Sequence, residues 1–399
     1  MNYPHEGTEN MKKLLKVLFV IAASLAVIVY GGVLLGHKVI FKEKSSNVPT
    51  IQAVTDGEFT FGAQAHLAQP ATMDEFIPIL AEQLRRYNEI APNLWPDNAL
   101  VNQSIIVESL NNGKFRLIAP DGLEAPLSKD KAMSYGFRRQ AYVNGFSLFD
   151  GGVYLAVDEK DLTNRLKWQK YLHFGMHDAF LFFTHEGFHL KEQPKWRHAD
   201  DIQNRARNEF LENTPARAKR DLLQRQILKA VSAPGDTRLI LDALATYADY
   251  KAEFPEDYKN SAYFARVEGP ANYYELVTGL YSGYPDQVKT RDDLDHGLAL
   301  LATREDIYVR HGLVMECYTI DGFACVLLDR LENDWKPRLV NNPEATPMEM
   351  LHEHFKDETF PAPKQLTRAE IDAVGEEIRK SKEISNKPLI FRFLYDILF

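Results

Sequence analysis

Two histidines and a glutamate stand in the apolar run FFTHEGFHL at 182–190. Polar groups in such a run are costly unless something binds them. His185 and His189 are four residues apart, which on a helix sets both imidazoles on one face, one turn from each other. That spacing lets them share one tetrahedral ion. Glu186 follows the first histidine, where its carboxylate can face a metal-bound water without displacing it. The pattern is H-E-x-x-H, in which zinc lowers the pKa of its water and the glutamate takes the proton. The apolar residues AFLFF at 179–183 fit a buried helix that presents a site from its interior face. A pair of core histidines satisfied by hydrogen bonds is the alternative.

A catalytic zinc takes three protein ligands and keeps one position for water, so a third ligand has to be found. The compact form H-E-x-x-H-x-x-G-x-x-H fails here: Glu192 stands at the glycine position and Lys195 at the third histidine. His198 is displaced by three residues from that place. Glu268, in RVEGPANYYELVTGLY, is the better candidate. A glutamate at the start of a helix, with Pro270 tolerated in the first turn, can point toward a neighbouring helix. Asn272, one turn on, is placed to hydrogen-bond the outer nitrogen of a liganding histidine.

These residues resemble the gluzincin metallopeptidases, the thermolysin-like class in which the histidines of H-E-x-x-H and a later glutamate hold zinc. HEGFHLKEQPKW, with Gln193 and Trp196, and the pattern of Glu268, Gly269, Ala271 and Tyr273 look like features of bacterial gluzincin-like proteins. The class commonly has an aspartate four residues after the glutamate, and this chain has Asn272 there. The resemblance covers 151–331. It implies a zincin-like fold, Zn2+ held by His185, His189 and Glu268, Glu186 as general base, and a peptide or protein substrate. It also implies that the strand GVYLAVD is an edge strand along which an extended peptide is laid. A donor for the developing oxyanion is expected as well. Tyr273, Tyr274, His311 and Tyr318 are candidates, and analogy with the class favours Tyr318. Most of the 18 tyrosines serve packing. His173 and His177 read as polar neighbours of the cleft.

The elements that must position these groups read as α+β, strands first and helices afterwards. Thr72 and Glu75 form a capping-box pattern ahead of Phe76, Leu80, Leu84 and Tyr87, spaced for one helix face, with Pro78 early in that helix. SIIVESL and KFRLIAP flank Asn111, Asn112 and Gly113 and read as a hairpin. GGVYLAVD is a further strand. Helical patterns follow at 167–192, 201–229 with a break near Pro215, 236–251, 261–281 and 314–331. Cys317 and Cys325, if on one helix, lie about 12 Å apart along its axis, too far for a disulfide. The run RARNEFLENTPARAKRDLLQRQ reads as a solvated helical face with opposite-sign pairs. The aromatic end PLIFRFLYDILF reads as a segment docked on the domain.

The residues at 17–36, VLFVIAASLAVIVYGGVLLG, form an uncharged apolar run, and about 20 residues at helical rise span a bilayer core. A cleaved signal peptide competes, with small residues at 22–26, but the length of the run favours an uncleaved single-pass anchor. Three lysines flank it on each side, so charge does not orient it. A short tail before one span and a large domain places the bulk of the chain outside the cytoplasm. The stretch GLVMECYTIDGFACVLLDRL is interrupted by Glu316, Asp321, Asp329 and Arg330, which marks a buried core helix. The net charge of −9 on 399 residues, without a basic block, excludes nucleic acid as a partner. The organisation is therefore a tail at 1–16, an anchor at 17–36, a linker at 37–57, an N-terminal α+β subdomain at 58–165 and a helical zinc-binding subdomain at 166–399. The function read from these residues is a membrane-anchored zinc metallopeptidase. A membrane-tethered scaffold with a structural metal is the non-enzymatic alternative, and Glu186 argues against it, since a structural site needs no base. A zinc hydrolase of a non-peptide amide is the third. No pattern sets an oligomeric state.

Overall fold

Thr72 caps the first helix, α1 (Met73–Leu94), its Oγ1 accepting the Glu75 N–H at 3.3 Å. Pro78 does not move the start of that helix; it lies inside it. The computed structural model describes residues 70, 72–95, 97–137, 146–149, 151–163, 178–197, 213–304, 308, 311–332 and 334–385. All belong to one compact unit that spans Val54–Phe399. The expected anchor at 17–36, the linker at 37–57, His173, His177, His198 and the end at 388–399 lie outside the described residues. Among the described residues no helix is long and apolar enough to cross a membrane.

The expected hairpin forms from β1 (Ser104–Ser109) and β2 (Phe115–Ile118), antiparallel, with Ile105 opposite Ile118. Gly113 closes its turn at φ +66°, a backbone region that costs glycine little. Two strands with no β-branched signal complete the sheet: β3 (Glu124–Leu127), with Pro126 on an outer edge where proline is tolerated, and β4 (Phe146–Phe149). The strand GVYLAVD is β5 (Gly152–Val157). The order is β3-β2-β1-β5-β4, with β5 parallel to β1 and antiparallel to β4. β5 is therefore not the edge strand the resemblance implied. FSLF of β4 pairs with its outer side and takes up the hydrogen-bonding groups that an added peptide would need.

Alternation along the strands serves two cores, as a period of two requires. Ile105, Val107, Val153, Leu155 and Val157 face the main core with Phe76, Leu80, Leu84 and Tyr87 of α1. Ile106, Tyr154 and Ala156 face a smaller cluster with Phe115, Phe137 and Phe149, beside the short helix α2 (Lys129–Met133). The short α3 (Glu159–Thr163) follows β5. The rest is helical: α4 (Asp178–Gly187), α5 (Thr214–Ser232), α6 (Thr237–Glu253), α7 (Pro255–Gly283), α8 (Arg291–Ala302), α9 (Leu313–Leu331), α10 (Trp335–Asn341), α11 (Pro347–His354) and α12 (Arg368–Ser385). The fold is thus mixed α+β and mostly helical. The main core does not stop at 165; it joins strand residues such as Leu155 to Phe183, Leu280 and Phe323 on the helices.

Helix α7 packs along α9, α1 and α4, and so carries the centre of the fold. Gly269 and Gly322 let α7 and α9 approach closely: a Cβ at Gly269 would lie 2.4 Å from Asp321 Cβ. Both cysteines are buried and free on α9.

The charged face expected at 205–226, of which 205–212 lies outside the described residues, is solvated only in part: Arg225 is exposed and pairs with Asp221 one turn away at 3.0 Å, but other cations turn inward. Arg217, Lys219 and Arg220 are buried. Arg217 pairs with Asp257 and Glu316, Arg220 Nε donates to Glu316 Oε2 at 2.6 Å, and Lys219 pairs with Asp249. The partners come from α6, α7 and α9, so no pattern within α5 reveals them. Once α5 is covered on both sides, each arginine needs a carboxylate to offset its lost hydration.

Candidate metal centre

His185 sits in the last turn of α4, and the chain then widens into a π-helical turn, Phe188–Glu192, followed by a 3-10 turn, Gln193–Lys195. Single π turns inside helices are rare and concentrate at functional sites. An aromatic bed holds this one. Phe188 meets the Trp95 ring edge-on at 4.9 Å and stacks on Tyr274 at 4.7 Å, while Trp95 stacks on Trp196 at 5.6 Å. Gly187 passes so near Leu100 that a Cβ would lie 2.8 Å from its Cδ1. Glu192, buried, accepts the Ala99 N–H at 3.0 Å and Lys195 Nζ at 3.1 Å. Lys195, at the place where the compact motif has its third histidine, points instead to Asp97 O at 2.6 Å.

Glu268 meets the two histidines from α7. It is not at a helix start: α7 runs from Pro255 to Gly283, with Glu268 and Pro270 in its interior. The residues PEDYKNSAYFARV continue the helix upstream, and proline removes only one donor from it. His185 Nε2, His189 Nε2 and Glu268 Oε2 form a triangle with edges of 3.1, 3.1 and 3.4 Å. A tetrahedral zinc with bonds of about 2.0–2.1 Å has ligand–ligand edges of roughly 3.3 Å. The donor set, two imidazoles and one carboxylate, is one that a zinc ion accepts. His185, His189 and Glu268 are the three side chains whose ligand atoms gather closely enough to hold an ion among the described residues.

Electrostatics agree with the geometry. Burial opposes charge on His185, but the carboxylates of Glu268 and Glu275 outweigh it and hold its pKa up at about 10. Burial likewise opposes charge on Glu268, and the two imidazoles hold its carboxyl well below the usual range. The carboxylates therefore stabilise positive charge between the imidazoles, whether a proton or a metal ion carries it.

The outer nitrogens of both histidines have partners, though not the expected one. Asn272 Nδ2 donates to Tyr318 O at 2.8 Å, tying α7 to α9. Glu275, two helical turns after Glu268 on the same face, brings Oε2 within 2.9 Å of His185 Nδ1. The N–H direction is off that line, so the contact is charge pairing more than an aligned hydrogen bond. His189 Nδ1 lies 2.7 Å from Gln193 Oε1. Sequence spacing held both signals, Glu275 at i+7 from Glu268 and Gln193 at i+4 from His189, but many residues share such spacings.

Tyr318 lies at the site. Its ring is parallel to His185 within 3° at 5.3 Å, and its hydroxyl is 3.4 Å from His185 Nε2. Burial, then the charges of Glu268, Glu275 and Glu186, push its phenol up, so it keeps its proton. Glu186 is half-buried on the same helix end and close enough to act on Tyr318 through its charge. The other donor candidates are engaged elsewhere. Tyr273 donates to Asp329, Tyr274 bonds Tyr87 and Asn98, and His311 bonds Glu377. Comparison with family models, curated proteins and solved structures finds no match for this chain.

Proposed function

We propose that this chain is a membrane-anchored zinc metallopeptidase of gluzincin type, with 17–36 as its span and the bulk of the chain on the extracytoplasmic side. The observation that carries the reading is the triangle of His185, His189 and Glu268, whose edges of 3.1, 3.1 and 3.4 Å are those of a zinc coordination face. These three residues hold the ion. When bound, zinc supplies Lewis-acid polarisation of a carbonyl and acidifies water. Glu186 accepts the proton of the attacking water and passes it to the leaving amine. Tyr318, with its proton kept, donates a hydrogen bond to the carbonyl oxygen as negative charge develops there. A site that held a metal for structure alone would have no use for Glu186.

Plasma mass spectrometry on the full-length chain should find near-stoichiometric zinc that disappears in His189→Ala. Glu186→Gln should hold the same zinc and lose peptide hydrolysis by about 100-fold or more. A folded wild type that takes up no zinc when zinc is supplied ends this reading, and unchanged turnover in Glu186→Gln ends the mechanism.

A further inference from the structure

Gln193 is buried, and two contacts of its side-chain amide fix which way that amide faces. Its Nε2 lies 2.6 Å from Val267 O. A backbone carbonyl only accepts, so the amide nitrogen must be the group that faces it. The amide oxygen is thereby turned toward His189 Nδ1, 2.7 Å away. An amide oxygen also only accepts, so Nδ1 carries the imidazole proton. Nε2 of His189 faces His185 Nε2 and Glu268 Oε2 at 3.1 Å each; it can carry a second proton toward that carboxylate while no cation is there, and with zinc bound it would offer its lone pair to the ion. Val267 is the residue before Glu268, so the same amide also pins the π turn to the segment of α7 that delivers the carboxylate.

We infer that Gln193 is a positioning residue that locks His189 in its Nδ1–H tautomer and fixes the π turn against the backbone beside Glu268. The inference rests on the metal reading above for its consequence, zinc affinity, but not for the tautomer itself. Gln193 differs in kind from Glu275, which meets the other histidine as a charge. A neutral amide orients His189 without adding a negative charge to a site that already contains Glu186, Glu268 and Glu275. The i+4 spacing to His189 within the widened turn is what brings the amide under the ring.

The test uses the full-length chain with 15N-labelled histidine, metal-free, and chelator competition with zinc alone. Wild type should show His189 in a single form protonated at Nδ1 in its 15N shifts, whether or not Nε2 carries a second proton toward Glu268. Gln193→Met, close in shape, should lose that single tautomer and bind zinc about 10- to 100-fold more weakly, the range for removing a partner of a liganding histidine. Gln193→Glu keeps the acceptor under Nδ1 and loses the donor to Val267 O, so it should keep the tautomer and fall between the two in affinity. A general packing role would weaken zinc equally in both variants and leave the tautomer alone, and that result overturns the inference. So does an Nε2–H tautomer in the wild type, which needs no variant to fold. A wild type that binds no zinc while His189 is Nδ1–H sinks the metal reading and leaves the tautomer lock standing.

Discussion

An alanine at Gly269 would place its Cβ 2.4 Å from Asp321 Cβ, 3.0 Å from the Asp321 carbonyl carbon and 3.2 Å from its Cα. Carbon atoms in contact keep about 3.5–4.0 Å, so α7 and α9 would have to part by roughly 1 Å or more. The atoms met are backbone and Cβ, not the free end of a side chain, and cannot swing aside. Overpacking of this kind costs about 1–3 kcal/mol, and here the upper end applies. Alanine returns about 1 kcal/mol through helix propensity, which is too little to change the sign. Gly269→Ala is therefore expected to lower the stability of the metal-free chain by about 2 kcal/mol in urea denaturation. Because Glu268 rides on the displaced helix, zinc affinity should also fall by about tenfold or more, given the tolerance of about 0.5 Å in such sites. Gly322→Ala is the graded control. Its Cβ would meet Asn272 Nδ2 at 2.6 Å, a group that can move at the loss of its bond to Tyr318 O. That bond is worth about 1 kcal/mol, so helix propensity nearly offsets it. A Gly269→Ala chain as stable as wild type, or a reversed order of the two variants, would refute the close-packing argument.

Three further outcomes follow from the same geometry. Glu268→Ala should abolish tight zinc binding, whereas Glu275→Ala, which removes only the partner of His185 Nδ1, should weaken it about 10- to 100-fold; equal zinc affinity in the two purified variants would require a different third ligand. Glu316→Ala should cost about 3–5 kcal/mol, because Arg217 and Arg220 both bond its buried carboxylate, and a loss under 1 kcal/mol would show that water replaces it. Burial raises the Asp321 pKa from 3.8 to about 7, only partly offset by Arg220. Between those values the unfolded chain gives up a proton that the folded chain keeps. Its contribution therefore falls with rising pH by up to about 1.4 kcal/mol per unit, and is level below and above that window. Asp321→Asn should flatten this part of the stability profile; identical slopes in the two chains would count against it.

The sequence alone determined which donor groups stand one helical turn apart and the elements with strong periodic or turn signals. H-E-x-x-H is legible because two imidazoles one turn apart can share an ion only on a helix, and the helix was written in the surrounding apolar run. The hairpin at Gly113, the cap at Thr72 and the single helix that carries both cysteines were legible for the same reason: each depends on neighbours within a few residues. Glu268 was found as a residue but read as a helix start because of Pro270, although the helical pattern at 261–281 already ran through that proline; the structure decides for the continuous helix, which packs on α9 and α1. Only the tertiary structure decided what depends on distant partners. It put β4 beyond GVYLAVD, turned Arg217, Lys219 and Arg220 of α5 inward onto carboxylates from three other helices, gave Asn272 to Tyr318 O, and set Gln193 and Glu275 behind the histidines. Apart from β4 and the contact of Gln193 with His189, those pairings join residues 30 to 99 positions apart, where spacing carries no information and burial chooses the partner.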